Sequence, residues 1–543
     1  TENVRIKQSV LKGNIQGVVG RLPKSWLIDK CIVKDHDVSG GNGIKIQGQE
    51  KTVEAVTVSD DSIQVTAHGF IEGDKVRFYG TGTLPTGLSK DTSYYVLGSG
   101  LTADKFKVGL PDGALKSGSV STQSLSPIDI TGTDLTGTTN ITVVVVAQDI
   151  TVKDNKLQTN RAGIWLKETD NSFVSGNKVD DGTTIQIENS WNNIITKNIV
   201  KNAIDLGINL HKNSSYNIIK GNQALNCMNA GIGITTDVLV GIANNNHNVI
   251  SGNIVKGSKP ISTYPTSTGN GIEFNGTNAY NIVVGNKVSE NTNYGIRLAA
   301  GSLETTVEGN QVYKNNIGIQ NDNDGNIILG NNVHSNASDG IVIGASISFV
   351  TVNSNRIKNN TGRGIVLGAN SQFCVVNGNN TNGNSGGNFV DSTYKNNKVF
   401  NNIGINDGAR TDGVLLSTRN YVNSLSIDAG VSVTAANTKI CNLANGSGSG
   451  TQNYSGLIIV TVRQSLNDSA NTASYVLHVG KHAANSLATQ ISANGLTSGG
   501  SASHPSFTFA IDTANNELEA SPIGSTSGTF YFHVSTLGDI KVS

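Results

Sequence analysis

The chain has 543 residues, 40 of them basic and 40 acidic, for a formal net charge of zero. That length is too great for one compact globule, and the balanced charge argues against both a basic nucleic-acid binder and an acidic disordered chain. Glycine is abundant at 63 residues, methionine occurs once, and asparagine recurs in Gly-Asn and Asn-Asn pairs. Such residues tolerate the left-handed backbone of tight turns, so a fold of many short strands is expected.

In chain order, residues 1–48 already hold a strand of the kind that dominates later, Gly43-Ile44-Lys45-Ile46. Residues 49–147 differ in character. Val56-Thr57-Val58, Ile63-Gln64-Val65, Tyr94-Tyr95-Val96-Leu97 and Phe106-Lys107-Val108 predict an inserted all-β domain, a small barrel or sandwich seated between two coils. It reads as a spacer or contact module without chemistry. Residues 148–412 then repeat. One half-repeat, Asn-Ile-x-x-Gly-Asn-x-Val, stands at 217–224, 248–255, 281–288 and 326–333. The other, Gly-Ile-x-apolar, begins at Gly163, Gly207, Gly231, Gly271, Gly295, Gly340 and Gly364. The Gly-Asn asparagine recurs at 177, 198, 222, 253, 286, 310, 331, 355 and 379, with Lys197 and Ser354 replacing the glycine at two of them.

A spacing in the twenties to thirties marks a solenoid. Alternating apolar and polar residues over four to six positions is strand periodicity rather than helix periodicity. The predicted fold class is therefore all-β, a right-handed parallel β-helix in which turn asparagines stack in ladders and satisfy buried backbone groups. In residues 413–543 the repeat stops and longer strands appear, near 457–462, 474–479, 506–511 and 529–534. They predict a C-terminal β-sandwich for capping, trimerisation or sugar binding. Cys31, Cys227, Cys374 and Cys441 lie far apart and read as buried thiols, without metal-ligand spacing. No apolar run is long enough to span a membrane. The chain starts at Thr1, which suggests a missing N-terminal segment.

These repeats, with the sandwich after them, resemble the phage tailspike depolymerases, in particular spikes of phages that infect capsulated Gram-negative bacteria such as Acinetobacter. The same repeats also resemble periplasmic copper-maturation proteins and alginate epimerases. The tailspike resemblance implies a homotrimer of elongated shape, held to the phage tail or baseplate through the missing segment. It implies a virion protein acting outside the host cell, whose partner is capsular polysaccharide, with no nucleic acid and no membrane insertion. Catalytic residues are not shared across that family, so site residues have to come from register.

In Gly-Ile-x-Leu the isoleucine and leucine point inward and x points outward. The outward column reads Lys45, Trp165, Gln186, Asn209, Gly233, Glu273, Arg297, Gln320, Val342 and Val366, and the column two residues on reads Lys167, Glu188, His211, Thr235, Asn275 and Ala299. Early positions are polar and aromatic, and late ones are valine. A groove giving way to a subunit contact is the expectation. Two enlarged coils, near 235–246 and 258–270, add Asp237, Tyr264 and Pro265 beside the middle of the column.

Two chemistries fit these residues. A lyase needs a cation for a uronate carboxylate and a base for the α-proton. His211 is the natural base, Lys167 or Arg297 the clamp, and Glu188 the group that orients His211 and raises its pKa. A glycoside hydrolase needs two carboxyl groups, drawn from Asp237, Glu273 and Glu188. Glu188 and Glu273 stand three coils apart, about 14 Å, too far for an inverting pair at about 6.5–9.5 Å. The lyase reading uses residues already adjacent and is slightly favoured. Trp165, Gln186, Asn209, Asn275, Tyr264 and Gln320 are the expected sugar contacts, with Trp165 offering a flat apolar face. A non-enzymatic receptor-binding spike or adhesin is the remaining alternative. No metal or cofactor is expected: Asn321-Asp322-Asn323-Asp324-Gly325 is calcium-like in composition but lacks a following ligand glutamate.

Overall fold

The computed structural model describes residues 3–405 except 13–15, 22–23, 37–40, 91, 112–124, 137–138, 161, 183, 237–244, 262–267 and 392–395, and beyond 405 the strand backbones between 422 and 542. The chain divides into two compact units, Thr1–Lys398 with Asn402–Ile405, and Val399–Asn401 with Asn406–Ser543.

The first unit is built on three parallel sheets of 13, 11 and 12 strands. Each coil contributes one short strand to each sheet, as in Phe173–Ser175, Lys178–Asp180 and Ile185–Glu188. The next coil supplies Ile194–Thr196, Ile199–Lys201 and Ile208–His211, paired residue for residue with the last. The architecture is thus the parallel β-helix that the repeat predicts.

The repeat residues explain the coil. The glycine of each Gly-Asn pair turns the chain from the first sheet to the second in the left-handed region, with φ of +66° at Gly176, +64° at Gly221 and +60° at Gly252. Lys197 and Ser354 adopt the same conformation, at φ 56° and 54°, at a cost of about 1–2 kcal/mol each. The neighbouring asparagines form a continuous internal ladder. Each backbone N–H donates to the Oδ1 of the asparagine one coil on, from Asn177 through Asn198, Asn222, Asn253, Asn286, Asn310, Asn331 and Asn355 to Asn379, at 2.9–3.0 Å. Each amide also donates back to a carbonyl of the preceding coil, as Asn198 Nδ2 does to Val174 O at 2.9 Å. Every polar atom at this buried corner therefore has a partner, without which each would cost about 1–3 kcal/mol. Between the ladders, Ile164, Ile185, Ile208, Ile232, Ile272, Ile296 and Ile319 stack fully buried. Asn321 takes an inward position at the end of its strand, where its Oδ1 accepts from Asn326 Nδ2 at 2.7 Å. The calcium-like run is used as a turn, with Asp324 Oδ1 accepting from the Ser348 amide at 2.7 Å.

Between strands Asn42–Gln47 and Ala162–Lys167 of the third sheet, residues 49–145 form two antiparallel sheets of six and four strands. Their shared core holds Val56, Phe70, Phe78, Tyr94, Phe106 and Val143. A buried ion cluster fastens this insertion to the solenoid. Asp170, on the coil, pairs with Lys75 at 2.5 Å and with Arg77, both on insertion strand Lys75–Gly80. The Arg77 guanidinium lies 3.8 Å from the Trp191 ring and donates to Asn189 O at 3.2 Å. Burial alone would raise the Asp170 carboxyl, but the Arg77 and Lys75 charges prevail and hold it below its usual range.

The second unit contains two antiparallel sheets, one of six strands and one of four, with strands as long as Thr472–His482 and Gly528–Gly538. Cys31, Cys227 and Cys374 are free and buried, and burial pushes the Cys227 thiol up to about 12. The side chain of Cys441 lies outside the described residues.

Candidate functional site

The outward face of the third sheet has the register that the alternation predicts. Lys45, Trp165, Gln186, Asn209, Gly233, Glu273, Arg297, Gln320, Val342 and Val366 pair in that order. The second column runs Arg21, Gln47, Lys167, Glu188, His211, Thr235 and Asn275. Ala299 follows strand Tyr294–Leu298 and is buried.

Around the early rungs these side chains form two hydrogen-bonded groups on successive coils. Trp165 Nε1 donates to Glu188 Oε2 at 3.1 Å, and so does Gln186 Nε2 at 3.1 Å. Lys212 Nζ stands 3.4 Å from Glu188 Oε1. One face of the Trp165 ring carries the Lys45 ammonium, 4.1 Å from the centroid. The Lys45 pKa is lowered by its burial and then by Lys167 nearby. On the next rung, His211 Nδ1 lies 3.0 Å from Thr235 Oγ1, whose hydroxyl donates to Asn209 Oδ1 at 3.0 Å. With the hydroxyl proton used that way, Thr235 is left to accept from Nδ1–H.

Lys167 is placed differently from the expected clamp. Its ammonium lies 2.6 Å from Glu50 Oε1, on insertion strand Gln49–Thr52, and 3.4 Å from Glu168 Oε1. Burial lowers its pKa, yet the Glu168 and Glu50 carboxyls reverse that and leave it raised. The insertion therefore contributes a carboxylate to this face. The hydrogen bond from Glu168 lowers Glu50 to about 2, while burial and then Glu50 push Glu168 up to about 8. Both line a cleft of about 520 Å³ with Arg21, Gln47, Gly48, Gln49, Lys51 and Lys167. A side chain at Gly48 would meet Val145 O at 2.4 Å and Glu168 Cβ at 2.8 Å, so only glycine keeps this wall close.

Further along, Glu273 and Arg297 form an ion pair at 3.2 Å, and Arg297 Nε lies 3.6 Å from Asp322. Burial raises the Glu273 carboxyl despite its hydrogen bond from Asn270 and the Arg297 charge. Gln320 Nε2 donates to Asp322 Oδ1 at 2.5 Å. Asn275 is exposed beside Thr235. Asp237 and Tyr264 lie outside the described residues. The structure thus brings Trp165, Gln186, Glu188, His211 and Asn209 together and places Glu273, Arg297 and Gln320 in a separate group. Sequence reasoning missed Arg21, Glu50 and Glu168. The one signal for Glu168 was an acidic residue directly after an outward lysine at a strand end, where it turns the chain at φ 52°.

Residues 139–312 and 301–404 match the family model described as "Right handed beta helix region". The class of protein that the fold defines is the right-handed parallel β-helix. Among solved structures the chain is similar to the tailspike protein gp49 of Pseudomonas phage LKA1, at 10% identity and TM-score 0.44, over 99% of this chain and 90% of that one. It is similar to the tailspike gp61 of Pseudomonas phage phi297, at 12% identity and TM-score 0.42, over 96% and 88%. It is also similar to the A-module of the Azotobacter vinelandii mannuronan C-5 epimerase AlgE6, at 15% identity and TM-score 0.39, over 48% and 74%. No curated protein matches the sequence.

Proposed function

We propose that the chain is a phage tailspike depolymerase that binds and cleaves bacterial capsular polysaccharide on the early rungs of the third sheet, at the host cell surface. The observation that carries this reading is the gathering of Trp165, Gln186, Glu188 and His211 on consecutive rungs beside the insertion's Glu50. An extended, polar face with an aromatic ring at its head suits a glycan chain lying along the solenoid axis.

The chemistry we assign is β-elimination at a uronic acid. His211 Nε2 takes the proton on C5, α to the sugar carboxylate, the C4–C5 double bond forms as the bond from C4 to the glycosidic oxygen breaks, and that oxygen takes a proton from solvent while His211 returns its own to solvent. The Thr235–Asn209 relay supports His211 as the base because it holds the ring in the required tautomer. Lys167 stands two rungs from His211, about 10 Å, and Arg297 three rungs from Asn209. Neither cation is therefore adjacent to the base, and Lys212, the residue after it, takes the clamp's place in this proposal. Hydrolysis is the second reading, favoured by the raised, buried carboxyl of Glu273 as a proton donor.

Digestion of purified capsule, followed at 232 nm with reducing ends counted in parallel, separates these readings. Absorbance rising together with reducing ends is the expected result. Reducing ends without absorbance move the chemistry to Glu273 as proton donor, and silence in both channels leaves only a binding spike.

Self-association, as a trimer, belongs to the same proposal. Its support lies on the first sheet rather than at Val342 and Val366, of which Val366 is only 8% exposed. There Phe173, Ile194, Ile282 and Ile327 face outward and exposed, flanked by Tyr216, Tyr280, Phe349 and Phe373. An apolar stripe along the solenoid, interrupted by Thr306 and Thr351, suits a second copy with the same repeat. The variant Ile327→Asp with Phe349→Asp is expected to sediment as a monomer, and an unchanged oligomer would place the contact elsewhere.

A further inference from the structure

We infer that the cleft between insertion strand Gln49–Thr52 and the first coils is a subsite for the carboxylate of an acidic sugar, distinct from the position of the bond that is cleaved. This rests on the reading of the third-sheet face as polysaccharide-binding and names the class of glycan it takes.

The charge around the cleft is unlike that of the chain as a whole, which is neutral. Arg21 and Lys167 line it, and Lys45 is coupled electrostatically to both. The Lys51 ammonium instead donates to Ala67 O at 3.3 Å, since neighbouring residues of a strand point to opposite faces. Against these three cations stand Glu50 and Glu168, of which Glu168 is pushed up to about 8 and Glu50 lowered to about 2, so that the pair carries about one negative charge near neutral pH. Three positive charges less one leave a net positive charge around the cleft. Glu188 and Lys212, on the following coils, neutralise each other. The buried Tyr79 phenol, on strand Lys75–Gly80, is pushed up to about 12, first by burial. A carboxylate entering here meets cations and a protonated carboxyl able to donate a hydrogen bond. Gln47 and Gln49 add amide groups suited to sugar hydroxyls. His211 lies two rungs beyond Lys167, about 10 Å, so a carboxylate seated in the cleft belongs to a neighbouring sugar rather than to the one that gives up its proton.

The test uses the full chain, with D-glucuronate, D-glucose and sulfate as separate probes in ligand-observed NMR. Glucuronate is expected to bind, glucose not to, and sulfate to bind more weakly than glucuronate. Arg21→Gln with Lys45→Gln is expected to weaken glucuronate about tenfold, while Lys358→Gln, on the second sheet, leaves it unchanged. Raising the pH through about 8 ionises Glu168, adds a negative charge and weakens binding in the same direction. Equal binding of glucose, equal binding of sulfate, no binding of glucuronate, or full binding in the double variant would each overturn the subsite. None of these readouts needs turnover. Absence of depolymerisation with glucuronate bound would thus remove the enzymatic reading and leave the subsite standing.

Discussion

The two halves of the third sheet share one backbone and differ in almost everything else. From Lys45 to His211 the outward side chains are charged, aromatic and mutually hydrogen-bonded, and an insertion stands beside them. From Val342 to Val366 the same positions carry small apolar side chains. The internal asparagine ladder runs through both halves with no change in geometry. The lesson is that the inward and turn residues make the scaffold, while the outward residues are at liberty to vary from rung to rung. The insertion beside a run of polar rungs is what sets the early half apart.

The largest effect should come from His211. Replacing it with Gln is expected to lower the rate of appearance of 232 nm absorbance by about 10²–10⁴-fold with an unchanged circular dichroism spectrum. Val366→Ala in the late half leaves that rate as it was. Equal losses from both would erase the distinction between the halves.

Asp170→Ala comes next. It leaves Lys75 and Arg77 buried without their counter-ion, at a cost of about 3–5 kcal/mol. Hydrogen exchange should rise first in residues 49–145 and in the coils next to them, while the late coils keep their protection. Uniform loss along the solenoid would mean that the insertion is not an independently fastened element.

The smallest effect is a pH dependence confined to the early half. Glu168, raised to about 8, gives up stability as pH rises from the ordinary carboxylate range through 8, because the unfolded chain is already ionised there. Glu50, lowered to about 2, gives up stability as pH falls through that value. Together they place a stability maximum near the ordinary glutamate value, shallow because Glu50 is half exposed and screened. Glu168→Gln should flatten the alkaline slope in thermal unfolding. A slope that survives the substitution has another source.

Much of this was legible in the order of residues. Gly-Asn pairs announced the turns because a left-handed turn followed by a buried amide suits few other residues, and alternation gave the face of every strand. Hence the column from Lys45 to Val366 could be written down in full from sequence. Arg21 at the head of the second column was missed, because the first coil carries no Gly-Ile-x-Leu motif to set its register. Glu50 and Glu168 were missed because they meet across 118 residues, and only the folded-back insertion brings them together.

What the sequence determined by itself, then, was the local repeat: strand, turn and side of the sheet, all governed by interactions within a coil and its neighbour. What only the tertiary structure decided was which charges meet. Lys167 turned to Glu50 rather than outward to solvent, and Asp170 was claimed by Lys75 and Arg77. Ion pairs depend on distance in space, and the antiparallel insertion sets those distances through pairings that no periodic pattern encodes.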